Sequence, residues 1–327
     1  MTLPTYSIAI RTLGTSGDKF VQELTSIQHL TIQPEKIVIY LAEGYKKPDF
    51  TIGREEYVYV KKGMVSQRAL PYTEISSEYI LLLDDDVRLA PDSVELLLKA
   101  ALEQKADCVG TDTFKNQDMS LKGKIYAILT NLVFPRRNDD YAFKICRNGS
   151  FTYNNHPEPR FYLSESCAGP AALWKKSSLL NIHLEDELWL DQLGFAFGDD
   201  VVEFYKLPCN GYKLGVHYGA DLEHLDAKSS SAVYQSNVQK FYTRSKASFI
   251  IWYRTCLNLT TKNQFDKIYT VFLYLIKAIW LFFINFAAAI AMRNWRIPFL
   301  YLKGIRDGYR FIHTKEYKQI PNFILEK

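Results

Sequence analysis

Residues 79–86 read YILLLDDD, an apolar run that ends in three adjacent carboxylates, Asp84, Asp85 and Asp86. Neighbouring like charges repel, and aspartate is a poor strand former. Either water solvates these groups or a cation compensates them. An extended chain through Asp84-x-Asp86 would put two carboxylates on the same side. Mg2+ and Mn2+ favour carboxylate oxygen and share their shell with substrate phosphates and water. The pattern therefore fits a divalent metal with a phosphorylated ligand. The plainer alternative is a solvated turn, with Asp92 or a neighbour capping the next helix. A second acidic pair, Asp199-Asp200, opens the stretch DDVVEFYKL. Taken alone, it reads as a helix N-terminal pair favoured by the macrodipole. Two histidines, His217 and His224, follow it. His217 falls inside a strand pattern, which makes a core or paired role the simpler one.

The surrounding elements must hold these groups. Residues 6–10 (YSIAI), 37–42 (IVIYLA), 57–61 (YVYVK), 79–83 and 107–111 (DCVGT) read as short buried strands. Phe20, Leu24 and Ile27 recur at helical spacing after the first strand. A helix with Pro71 inside it or at its edge is expected to lead into 79–83. Pro91 opens another helix, with Val94, Leu97, Leu98 and Ala101 on its apolar face. Continuous apolar strands alternating with helices predict an α/β fold, a mostly parallel sheet covered on both faces. Ligands in such sheets sit beyond the carboxyl ends of the strands, which is where the aspartate triplet lies. Residues 114–163 read as an irregular, loop-rich insertion over a site. Residues 165–174 read as a strand or turn, 200–207 as a helix, Gly211 as a turn, and 213–218 as a strand.

The order of these pieces resembles the family 2 glycosyltransferases of the GT-A fold, with LLLDDD as the D-x-D at a strand end. SIAIRTLG is similar to the family's first strand, whose end touches the nucleobase, with Thr12 at the matching position. IVIYLAEG resembles the second strand and its acidic turn, where Glu43 matches. KKGMVSQRAL resembles the G-x-x-x-A-R-N segment through Gly63 and Arg68. Asp84 then matches the nucleoside-contacting acid and Asp86 the metal-binding one, with Asp85 between them on the donor side. FGDDVVEFYKLPCNGYKLG is similar to the segment that begins with the family's acidic pair. The resemblance implies Asp200 as general base, with Asp199 beside it, and His224 completing the metal site with Asp86. It also implies Mn2+ or Mg2+ and a nucleoside-diphosphate sugar donor. It covers residues 1 to about 230.

Composition bounds the rest. The chain has 327 residues, of which 47% are hydrophobic and 14% aromatic, and a net charge of +4. That charge is too mild to argue for nucleic acid. Five widely spaced cysteines with no C-x-x-C pair argue against a zinc knuckle or a disulfide framework and suggest a reducing compartment. The start leads straight into a strand pattern and does not read as an export signal. Residues 268–292 carry one charge, Lys277, over a length that could cross a bilayer. Lys262 and Lys267 precede the segment, and Arg293, Arg296, Lys303 and Arg306 follow it. Basic flanks on both sides favour a hairpin, re-entrant or interface-lying helix over a single span. The expected organisation is a catalytic domain at 1–235 and a helical, membrane-associated region at 236–327. The expected activity is transfer of a sugar to a lipid-linked saccharide acceptor at the cytoplasmic face of the membrane, in surface polysaccharide synthesis. The alternative is a non-catalytic nucleotide-sugar-binding subunit of an assembly complex.

Overall fold

A computed structural model describes residues 3–113, 121, 125, 129, 141–154, 157–193, 197–225, 238–259 and 263–325. Its centre is an eight-stranded sheet in the order β3-β2-β1-β4-β10-β6-β11-β9. The strands are β1 (Tyr6–Thr12), β2 (Ile37–Ala42), β3 (Glu55–Val60), β4 (Tyr79–Asp84), β6 (Cys108–Gly110), β9 (Phe161–Leu163), β10 (Ala171–Lys175) and β11 (Leu214–His217). Strands β3, β2, β1 and β4 run parallel, as do β6 and β11. Strands β10 and β9 run antiparallel to their neighbours. Two smaller ladders complete the set. One pairs β5 (Val87–Leu89) with β12 (Leu222–His224), and the other pairs β7 (Phe143–Ile145) with β8 (Phe151–Tyr153).

Alternation along each strand builds two cores. Ile8, Ile10, Ile37, Ile39, Leu81 and Leu83 face α1 (Asp18–Gln28) and α2 (Ser93–Gln104). Val38, Tyr40, Ile80 and Trp174 face α3 (Lys176–Asn181) and α4 (Asp199–Cys209). Each fully buried Ile, Leu or Val is worth about 1.5–3 kcal/mol relative to exposure, which suits the apolar and aromatic residues of β2, buried at all six positions.

Three expectations need correction. No regular helix forms between β3 and β4. Residues 63–69 make one turn, with the Ala69 and Arg68 N–H groups donating to the Val65 carbonyl. Pro71 lacks the N–H that a further turn would need. The second correction concerns residues 141–163, which were expected to be irregular. They supply β7, β8 and β9, and an interleaved cluster of Phe143, Phe151 and Tyr153 holds the hairpin. Most of the remainder, 114–140, lies outside the described residues. The third is local to the aspartate triplet. The chain turns at Asp85-Asp86 instead of running extended, so Asp84 and Asp86 take different partners.

Beyond β12 the described residues are helical: α5 (Gln239–Trp252), a π-turn at Tyr253–Leu257, α6 (Gln264–Ala291), α7 (Arg296–Phe311) and the short α8 (Lys315–Lys318). Helices α5 and α7 approach closely because Gly304 and Gly308 face α5. A Cβ at Gly304 would lie 1.9 Å from the Ser245 Oγ and 2.4 Å from the Tyr242 carbonyl oxygen. These helices share a core with α4, in which Val201 and Val202 pack with Ile250, Ile251, Trp252 and Ile312.

A buried ion cluster fixes this junction. Glu187 accepts from Arg254 Nη2 at 2.6 Å, Arg254 Nε at 2.7 Å and Trp189 Nε1 at 2.8 Å. Lys206 Nζ lies 3.3 Å from the same carboxylate, and both side chains are fully buried. Removing one member leaves uncompensated buried charge. Glu187→Ala is therefore expected to destabilise the chain by about 3–5 kcal/mol, read as a lowered urea midpoint. A midpoint within error of the parent would show that the cluster does not hold the two parts together.

Candidate functional site

The parallel strands β1, β2 and β4 end on one edge of the sheet, and the candidate residues gather there. Register pairs Arg11 with Asp84 across β1 and β4. The Arg11 guanidinium donates to the Asp84 carboxylate and, at 3.0 Å, to the Met64 carbonyl oxygen. Burial works against the Asp84 charge, but Arg11 and Arg68 more than offset it and hold the carboxyl below its ordinary range. Asp85 turns back toward β1. It accepts from the Thr12 hydroxyl, which itself accepts from the Gly14 N–H at 2.7 Å. Burial pushes Asp85 up to about 6 despite its hydrogen bond from Thr12. Thr12 and Asp85 thus brace each other and the loop after β1. Glu43 lies exposed in the turn after β2, on the same edge of the sheet.

Asp86 is placed by the β5–β12 ladder. The Leu225 N–H donates to the Asp86 carbonyl oxygen at 2.8 Å, and His224 stands opposite Val87. This sets His224 Nε2 3.2 Å from Asp86 Oδ1. His217 is elsewhere, half-buried at the end of β11, where its Nδ1 accepts from the Gly219 N–H at 3.1 Å. Among the described residues no group of three or more ligating side chains converges. One carboxylate and one imidazole side by side suit a hard divalent ion whose remaining positions are filled by diphosphate and water. They do not suit a closed all-protein cage. The residues present therefore fit Mn2+ or Mg2+ held jointly with a phosphorylated ligand.

Arg68 is the hub between the two acidic pairs. The turn that carries it is clamped by Asp191, which accepts from the Val65 N–H at 2.8 Å, the Ser66 N–H at 3.1 Å and the Ser66 hydroxyl at 2.5 Å. Its guanidinium is paired with Glu203, lies 3.3 Å from Asp200, 3.5 Å from Asp199 and 3.7 Å from Asp84, and donates to the Gly169 carbonyl oxygen at 3.1 Å. Burial opposes the Arg68 charge, but the surrounding carboxylates hold its pKa well above the ordinary value. Burial pushes Glu203 up to about 7, with Arg68 opposing and Asp199 adding to the rise.

Asp199 and Asp200 open α4, and the two diverge. Asp199 is buried against Arg68, whereas Asp200 keeps 37% of its side chain exposed and lines a cavity of about 650 Å3. Burial and the adjacent Asp199 push Asp200 up to about 6, against the pull of Arg68. Asp200 also accepts from the Gly169 N–H at 3.2 Å. A Cβ at 169 would lie 2.0 Å from Asp200 Oδ1, so any larger residue there must push the Asp200 carboxylate aside. Gly169→Ala should displace that carboxylate without unfolding the chain. A shift of about 1 Å in a reacting group can cost on the order of 10²-fold in rate. Any turnover in which Asp200 takes part should therefore fall by about that factor; unchanged turnover would mean that the Asp200 position is not critical.

Sequence reasoning missed Arg11, Glu203, Gly169 and Asp191. Two of these left signals. Arg11 is the one charge in an otherwise apolar strand, and Glu203 sits four residues after Asp199 and three after Asp200, on the same face of a helix. Asp191 and Gly169 left none, because their partners are distant in sequence.

No family model and no curated protein matches the chain. Solved structures do resemble it. S. aureus TarS 1-349 in complex with UDP-GlcNAc has a TM-score of 0.49 at 10% identity, over 94% of this chain and 81% of that one. GalNAc-T7 with UDP, GalNAc and Mn2+ has a TM-score of 0.47 at 13% identity, over 76% of this chain and 51% of that one. Mannosyltransferase PcManGT from Pyrobaculum calidifontis, in complex with GDP-Man and Mn2+, has a TM-score of 0.44 at 12% identity, over 97% and 83%. The chain spans about half the length of GalNAc-T7. At this identity these likenesses assign no side chain a role, and the roles of individual side chains rest on their own geometry.

Proposed function

We propose that the protein is an inverting, metal-dependent glycosyltransferase of the family 2 type. It would move a sugar from a nucleoside diphosphate to a hydroxyl of a lipid-linked saccharide at the cytoplasmic face of the membrane, in surface polysaccharide synthesis. One observation carries the reading. Three segments distant in sequence, 84–86, Arg68 and 199–203, meet at one sheet edge, with Asp86 beside His224 and with Asp200 facing a ligand-sized cavity. A cavity of about 650 Å3 lies within the roughly 300–1,000 Å3 typical of ligand sites. The sequence resemblance supplies the donor class, and Thr12, Glu43, Asp84 and Asp85 border the edge where a nucleoside would lie.

The chain's own residues supply most of the chemistry. Asp200 accepts the proton of the acceptor hydroxyl as that oxygen attacks the anomeric carbon. Gly169 and Arg68 orient its carboxylate, and Asp199 stays buried behind it. One in-line displacement needs one base, unlike the two flanking carboxylates of a hydrolase, and inverts the anomeric configuration. Mn2+ or Mg2+ held by Asp86 and His224 would supply Lewis-acid stabilisation of the charge on the departing diphosphate.

The tail favours a membrane-surface acceptor. Helix α6 is long and apolar enough to cross a bilayer, yet one side of it lies against the protein. Phe265, Phe272, Ile279, Phe283, Phe286 and Ile290 recur on its outer side and are exposed, while Tyr274, Lys277, Leu281 and Asn285 face inward. Exposed Arg296, Lys303, Arg306 and Arg310 on α7 suit anionic head groups. This two-sided use of α6 fits a helix lying in the interface. Incubating the full chain with Mn2+, a panel of nucleotide sugars and a membrane lipid extract tests the assignment. Sugar incorporation into the lipid fraction from one donor supports it. Incorporation from none, with no nucleoside diphosphate released, overturns it.

A further inference from the structure

Strand β5 follows Asp86 directly and has a strand partner, β12, on one edge only. The Leu225 N–H donates to the Asp86 carbonyl oxygen at 2.8 Å, and the Ala90 N–H donates to the Asp221 carbonyl oxygen at 2.9 Å. Bonded positions alternate in an antiparallel ladder, so 86, 88 and 90 face β12 while the N–H groups of Val87 and Leu89 point the other way. Among the described residues no third strand receives them. Two side chains of α1 do. Glu23 Oε2 accepts from the Val87 N–H at 3.4 Å, and Ser26 Oγ accepts from the Leu89 N–H at 3.1 Å. Glu23 and Ser26 stand three residues apart on the buried face of α1, and so reach alternate positions of one strand. The Ser26 hydroxyl is itself fixed by donating to the Glu23 carbonyl oxygen at 2.7 Å.

Glu23 is the unusual member of this pair. Its side chain is fully buried, and its second oxygen, Oε1, has no hydrogen-bond partner among the described residues. Burial, and then the Asp85 carboxylate, push its carboxyl well above the ordinary range, which favours the uncharged acid. A buried carboxyl near three aspartates is a costly way to fill a helix face. What it gains is reach to Val87. That residue follows Asp86 in the chain and stands opposite His224 across the ladder. Its place therefore bears directly on the 3.2 Å separation of Asp86 and His224.

We propose that Glu23 is a positioning residue, which holds the Val87 N–H and thereby keeps Asp86 and His224 at the separation that a shared divalent ion needs. This role rests on the transferase reading. Glu23 itself touches neither the ion nor the nucleotide and acts through Val87.

The test is calorimetry with UDP and GDP, with and without Mn2+, on the full chain in a non-ionic detergent, for the parent, Glu23→Gln and Glu23→Leu. In the parent, Mn2+ should strengthen the binding of one nucleotide at least about tenfold. Glu23→Gln keeps an acceptor at the same reach and should keep that gain. Glu23→Leu fills the space without an acceptor and should lose most of the gain, with metal-free nucleotide affinity at the parent value. If Glu23→Leu does not fold, Glu23→Asp, which withdraws the acceptor by one methylene, takes its place with the same expectation. A gain lost equally in Glu23→Gln would mean that charge, not the hydrogen bond, is the contribution of Glu23, and would overturn the proposal. Affinity lost alike with and without Mn2+ would mean a general loosening of the fold and would also overturn it. A gain present in the parent that no substitution moves overturns the proposal alone. No Mn2+-dependent binding in the parent overturns the transferase reading and this role with it, so the two failures are distinguishable.

Discussion

Asp200→Asn is expected to cut sugar transfer by about 10²-fold or more, the scale of a lost general base, while leaving nucleotide affinity near the parent value. The substitution keeps the shape of the side chain and its place at the start of α4, and removes only the basic oxygen. The parent enzyme should also show an acid limb. Burial and Asp199 raise the Asp200 carboxyl to about 6, so below that pH the group is protonated and cannot accept a proton. Turnover should therefore rise about tenfold per pH unit up to about 6 and then level off, and the limb should vanish in Asp200→Asn. A variant that transfers sugar at the parent rate would move the base elsewhere, with Asp199 next to be tested. A protein that binds donor with no transfer in either form would be a nucleotide-sugar-binding subunit.

Arg68→Met is expected to be the most damaging single change to the fold of the site. It leaves Glu203 and Asp199, at 2% and 9% side-chain exposure, without their cation. Breaking a buried pair from one side costs about 3–5 kcal/mol. That loss should depend on pH. The Glu203 carboxyl is already raised from 4.5 to about 7, and removing Arg68, which lowers it, raises it further. A carboxyl raised in the folded state keeps its proton where the unfolded chain has released it, so the folded form loses ground as pH rises from about 4.5 through 7. The deficit relative to the parent should be largest above pH 8 and shrink toward pH 5, measured by urea unfolding at both values. A deficit independent of pH would mean that packing, not charge, is the function of Arg68.

The α/β fold was legible because its signals are local. The buried runs of β1, β2 and β4 and the helical spacing of Phe20, Leu24 and Ile27 need no partner to be recognised. The turn at 63–69 was not, since Pro71 and a distant clamp, Asp191, outweigh local helix propensity. Nor was the 141–163 region, where short strands of three residues find their partners only in three dimensions. Within the site, the acidic groups were visible as clusters, but their compensation was not. Arg11 and Arg68 come from other strands and turns, and they offset the Asp84 charge. The apolar tail was legible from composition. Its two-sided character becomes plain only when Lys277 and Asn285 are seen to share one helix face with Tyr274.

The proposed transfer requires the edge around Asp86 to bind a nucleoside diphosphate through a shared divalent ion. Calorimetry with UDP and GDP, with and without Mn2+, on the full chain and on Asp86→Asn tests it most directly. The parent chain should bind one nucleotide in Mn2+, at least about tenfold more weakly in its absence, and a folded Asp86→Asn should lose that metal dependence. Nucleotide affinity indifferent to Mn2+ and to Asp86→Asn, or no nucleotide binding under any condition, would contradict it.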